Sequence, residues 1–91
     1  MLDKEKPNIE NKRKQLIFRS NHRGTKEMDL IMGSYANANV PHFSEAELDD
    51  YESLLRHNDP DLYNWLTAKE DPPEEVANLS VFQKLMAHKF A

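Results

Sequence analysis

Cysteine is missing from all 91 residues. Its absence removes disulfides, thiolate zinc sites, iron–sulfur ligation and thiol catalysis together. Glycine occurs only twice, at Gly24 and Gly33. That is too rare for turn-rich β structure, and it excludes the glycine-rich loops that cradle nucleotide phosphates. No apolar run approaches the roughly 18 residues of a membrane span, so no membrane insertion is expected. What is abundant is Leu, Met, Glu, Lys and Ala, with 38% hydrophobic residues overall. This composition suits compact helices and one modest core.

The net charge of −4 conceals an asymmetry. Through residue 27 there are eight Lys and Arg against four acids; the remainder has four basic residues against twelve acidic ones. A basic end on an acidic body can steer a partner of complementary charge. Nucleic acid is not the expected partner, because phosphate binding needs a sustained basic face. The opening residues MLDKEKPNIENKRK contain neither the apolar segment of a secretory signal nor an Arg-rich, acid-poor transit sequence. On that reading the expected location is the bacterial cytoplasm.

Residues 1–8, polar and ending near Pro7, read as a disordered tail. Residues 9–91 read as one all-α domain, a small five-helix bundle. The first helix runs over 9–22, and Gly24 is expected to stop it in the left-handed conformation. Met28, Ile31, Met32, Tyr35 and Ala36 form an i, i+3, i+4, i+7, i+8 stripe, widened by Leu30, a second amphipathic helix. Glu27 and Asp29 in its first turn suit the positive end of the helix dipole. Gly33 in mid-helix implies close packing by another helix, and Pro41 ends the segment. Ser44-Glu45-Ala46-Glu47 is a capping box opening the third helix, with Leu48, Tyr51, Leu54 and Leu55 on its inner face. Asn58 closes that helix, Asp59 caps the fourth and Pro60 takes its first position. A second capping-box match at Ser80 and Gln83 opens the fifth, with Leu85, Met86 and Phe90 facing inward.

Sites for chemistry are scarce. His22, His42, His57 and His88 lie in four separate segments with no ligand spacing, so no metal site is expected. Asp59-Pro60-Asp61 lacks the alternating ligands and central glycine of a calcium loop. The paired acids Asp49-Asp50 and Glu74-Glu75 read as solvated helix faces, and the aromatic residues Tyr35, Tyr51, Trp65 and Phe82 as core. No catalytic residue is assigned. One corner remains: His22, Arg23, Gly24, Lys26 and Glu27, where an arginine fork and a glycine that permits close backbone approach adjoin flanking charges. Alone, R-G-x-x-E arises readily in a chain this charged.

Its surroundings are more specific. RSNHRGTKEMDLIMGSYA, then FSEAELDDYESLL, then DPDLYNWL resemble in order the small FAD-assembly factors of succinate dehydrogenase, bacterial and mitochondrial. The likeness runs from Arg19 to Leu66 and more loosely to the end. Met32 and Tyr35-Ala36 stand where the family commonly has Leu and Phe-Ala. The resemblance implies a five-helix protein that promotes covalent attachment of FAD to the flavoprotein subunit of succinate dehydrogenase, and in bacteria of fumarate reductase. A monomer that is not itself an enzyme is expected, and the resemblance implies that it holds no cofactor stably, since FAD is attached to the partner. The family's R-G-x-x-E falls on Arg23, Gly24 and Glu27, on the surface that meets the flavoprotein. Three roles are expected there. Arg23 pairs with a partner carboxylate or carbonyl, Gly24 permits close approach, and Glu27 accepts from the partner or braces Arg23. Two other classes stay open on the residues alone. One is an antitoxin-like regulatory module. The other is a small helical nucleic-acid binder using Arg13, Lys14, Arg19, Arg23 and Lys26, whose binding would fall steeply with salt.

Overall fold

The computed structural model describes residues 5–89. Helices form where the apolar stripes place them: α1 (Glu5–Asn21), α2 (Lys26–Asn39), α3 (Glu45–Leu55), α4 (Asp59–Leu66), a short α5 (Glu74–Ala77) and α6 (Ser80–Lys89). A 3₁₀ turn, Val40–His42, follows α2. The described residues contain no strand, and none of their helices is long and apolar enough to cross a membrane. The all-α expectation holds, with five helices of seven or more residues and the extra turn α5 before the last. Helix α1 includes residues 5–8, ahead of the start expected at Ile9. Residues 1–4 of the expected tail, and Phe90, lie outside the described residues.

The caps explain most of the boundaries. Thr25 opens α2 by accepting from the Met28 N–H at 3.1 Å. Ser44 and Glu47 exchange the two bonds of a capping box, at 3.2 and 2.8 Å. The fourth helix departs from expectation: Asn58, not Asp59, is its cap, accepting from the Asp61 N–H at 2.9 Å. The second box does not form. Helix α6 already begins at Ser80, and the Gln83 side chain donates instead to the Ala77 carbonyl at 3.1 Å. Helix α4 ends on Ala68 at φ 62°. Lys69 N–H bonds to the Asn64 carbonyl and Ala68 N–H to that of Trp65, a Schellman ending without glycine.

Helices α1 and α2 pack antiparallel over the longest interface, α3 closes against α1 and α6, and α6 also touches α2. Between them lie Leu16, Met28, Met32, Tyr35, Leu48, Tyr51, Leu54, Leu62, Leu66 and Leu85, each at most 1% exposed. One buried polar side chain, Ser20, bonds to the Leu16 carbonyl and the Tyr51 hydroxyl, both at 2.7 Å. Burial pushes the Tyr51 phenol up to about 12, so it stays a neutral hydroxyl at physiological pH.

Gly33 does mark a close approach. A Cβ there would sit 2.3 Å from Asn21 Oδ1 and 2.9 Å from its Cγ. That amide is held by its Nδ2 donating to the Ile17 carbonyl at 2.8 Å and to Asn37 Oδ1 at 3.2 Å. Gly33→Ala gains about 1 kcal/mol of helix propensity but overpacks the contact, at a cost of roughly 1–3 kcal/mol. The expected net result in urea unfolding is a loss of about 1 kcal/mol. Adding Asn21→Ala should turn that loss into a gain. A stabilised single variant would show that Asn21 swings aside freely.

Candidate functional site

The chain turns between α1 and α2 at Asn21–Thr25. Gly24 does not make this turn by a left-handed conformation, since neither glycine has a positive φ. The turn is instead held by two carboxylates. The Arg23 backbone N–H donates to Asp29 Oδ1 in the first turn of α2. The Gly24 N–H donates to Asp59 Oδ2 at 2.6 Å. Asp59, relieved of capping by Asn58, is the first residue of α4, where the positive end of the dipole favours a carboxylate.

The Arg23 side chain reaches inward over the same junction. Its Nε donates to Asp59 Oδ1 at 2.7 Å, Nη1 to the Leu55 carbonyl at 3.0 Å, and Nη2 to the His57 carbonyl at 2.8 Å. Those carbonyls belong to the last residues and exit of α3, where unpaired acceptors and the negative dipole end favour a cation. The Arg23 and Asp59 side chains are only 11% and 14% exposed. Charge-assisted bonds of this kind, shielded from water, are stronger than surface pairs. One guanidinium and one carboxylate thus tie the α1–α2 turn to the α3–α4 junction.

This arrangement revises the expected roles. The Arg23 fork serves its own chain with three of its five N–H groups. Glu27 does not brace it; Asp59 does. Glu27 and Lys26 are exposed, and among the described residues no hydrogen bond or ion pair engages either side chain. His22 is also exposed. Its ring stacks on Phe18 with centroids 4.0 Å apart, and its Nδ1 lies 2.8 Å from the Phe18 carbonyl. Arg23, Gly24 and His22 share an open depression of about 380 Å³ with Phe18, Arg19 and Asp59. Glu27 lies instead in a smaller one, about 170 Å³, with Thr25, Met28, Asp59, Pro60 and Tyr63. The corner therefore has two faces, and Asp59 lies beneath both.

Sequence reasoning missed Asp59 and Asp29. Asn58-Asp59-Pro60 offers two residues able to cap, and either choice leaves proline in a tolerated position. Only the partner 36 residues away shows why Asp59 is the one left free. Three of the five cations proposed for a nucleic-acid face are engaged within the chain: Arg13 with Glu10 and the Phe43 carbonyl, Arg19 with Glu52, and Arg23 with Asp59. Among the described residues no three His, Asp or Glu side chains converge as a metal site.

Comparison with known proteins supports one reading. Residues 14–89 match the model of the family described as the flavinator of succinate dehydrogenase. Succinate dehydrogenase assembly factor 2 of Dictyostelium discoideum, a mitochondrial protein, is 42% identical over 74 residues, covering 81% of this chain and 52% of its own. The FAD assembly factor SdhE of Acetobacter pasteurianus is 41% identical over 70 residues, covering 77% and 64%. The mitochondrial assembly factor 2 of Arabidopsis thaliana is 40% identical over 81 residues, covering 86% and 43%. The chain thus spans between 43% and 64% of the length of these relatives. They support neither the antitoxin-like nor the nucleic-acid reading. They also overturn the expected bacterial cytoplasmic location, because mitochondrial proteins of eukaryotes are among the most similar relatives, at 38–42% identity. With relatives longer than the chain, its first residues carry no location. By the match over residues 14–89, the chain belongs to the flavinator of succinate dehydrogenase family.

Proposed function

We propose that this protein binds the flavoprotein subunit of succinate dehydrogenase and promotes its covalent attachment to FAD. The family match over residues 14–89 carries the choice of client. The braced corner at Arg23 and Gly24 supports the manner of binding. The factor acts as a monomeric assembly chaperone, not as an enzyme. It holds no FAD of its own, and the bond forms on the flavoprotein.

The physical role is pre-organisation. A factor that favours one arrangement of a mobile client raises its reactive population by the difference in affinity for the two states. About 1.4 kcal/mol of that difference gives tenfold. A rigid docking corner serves this better than a loose one, since less order must be imposed on binding. The Arg23–Asp59 clamp supplies that rigidity, Gly24 offers a backbone surface without a side chain, and Glu27 and Lys26 present free charges beside it.

Incubating apo-flavoprotein with FAD and a dicarboxylate, with and without the protein, tests the proposal. Covalent flavin fluorescence on a denaturing gel should rise several-fold when it is present. Equal labelling in both tubes would refute the assignment. The fumarate reductase flavoprotein, run in parallel, reports whether it is a second client.

A further inference from the structure

Two large apolar side chains stand exposed among the described residues, Phe18 at 62% and Leu30 at 68%. A single exposed apolar residue needs no explanation, and Leu30 shows no ring contact or polar tether. Phe18 differs. Its ring lies against the His22 imidazole, 4.0 Å between centroids and 23° from parallel. The imidazole is in turn fixed by the 2.8 Å contact of its Nδ1 with the Phe18 carbonyl. Because that atom faces a carbonyl oxygen, it carries the proton and donates. Two exposed rings are thus held as a plate before anything binds, which lowers the ordering cost of burying them.

The plate forms a wall of the same depression that contains Gly24, Arg23 and Asp59, so it is continuous with the proposed docking corner. Its charge surroundings are basic. Lys14, exposed, lies one turn before Phe18 on the same helix face, at the i, i+4, i+8 spacing that ends at His22. Arg19, in the depression itself, is 41% exposed and only loosely paired, 3.8 Å from Glu52.

We infer that the Phe18–His22 plate is a second contact for the flavoprotein. It receives a segment in which a large apolar or aromatic side chain neighbours an Asp or Glu. The apolar group covers the plate and the carboxylate meets Arg19 and Lys14. Aromatic anchors beside cations carry a large share of binding energy in protein interfaces. This rests on the proposed function, whose client it takes over.

The test is titration of labelled apo-flavoprotein with the wild-type protein and with Phe18→Ala, Phe18→Tyr and Leu30→Ala. Wild type should bind, Phe18→Ala should raise Kd about tenfold or more, and Phe18→Tyr and Leu30→Ala should stay within twofold of wild type. Thermal melting of Phe18→Ala should match wild type, because the side chain lies outside the core. Failure of the wild-type protein to bind would overturn the proposed function itself. Binding by wild type with Phe18→Ala equally tight, or with Phe18→Ala and Leu30→Ala equally weakened, would leave that function standing and overturn the plate.

Discussion

Asp59→Ala should lower the unfolding free energy by about 2–4 kcal/mol, near the cost of breaking a buried ion pair from one side. For a chain of this size that is a fall in Tm of roughly 10–25 °C. The reason is what the substitution leaves behind. Arg23, 11% exposed, keeps its charge and its two bonds to the α3 exit but loses the carboxylate at 2.7 Å. The Gly24 N–H loses its acceptor in the same step. Arg23→Met in the same chain removes the stranded cation, so the double variant should lose at least about 1 kcal/mol less than the two single losses together. Differential scanning calorimetry of the four proteins measures this directly. A loss of under about 0.5 kcal/mol for Asp59→Ala would show an ordinary screened surface pair.

The two ends of this strut were unequally legible in the sequence. Arg23 was visible because an arginine beside a glycine at a helix exit is conspicuous, but its direction was not. An exposed fork aimed at a partner and an inward fork aimed at another helix junction share one local sequence. Asp59 was hidden by a local explanation that sufficed: an acid before a proline at a helix start caps it. Local signals did well wherever the physics is local. The capping box at Ser44, the close approach at Gly33 and the stripe of α2 hold in the structure, except that Leu30, expected to widen the stripe, is 68% exposed. They did worse where a neighbour offered a better bond. Gln83 reached back to Ala77 in place of closing its box. The aromatic plate is hidden in the sequence because Leu16, Ile17 and Phe18 are adjacent and read as one apolar cluster near the helix end. A helical wheel separates it: Leu16 and Ser20 face the core, while Phe18 and His22 lie on the far side.

Gly24→Arg should reduce the stimulation of flavinylation to the level without the protein, a loss of tenfold or more for any gain above about 1.4 kcal/mol. The expected change in stability is smaller, about 1 kcal/mol, and its origin is specific. A Cβ at this position would lie 2.9 Å from Asp59 Oδ2, the atom that the Gly24 N–H already holds. The carboxylate must therefore shift by a few tenths of an ångström whatever the new side chain. Arginine adds two further effects. It places a second guanidinium beside Asp59, in competition with Arg23, and it fills the approach between the corner and a docking backbone. Gly24→Ala separates these contributions, because it carries the Cβ contact without the bulk or the charge. It should melt with Gly24→Arg, within about 0.5 kcal/mol, and still stimulate flavinylation. If Gly24→Ala abolishes stimulation as well, with the same small loss of stability, the glycine acts through the Arg23–Asp59 clamp and not through close approach. If Gly24→Arg instead melts far below Gly24→Ala, the glycine is there for folding, and the docking corner must be sought at Glu27, Lys26 and the Phe18–His22 plate.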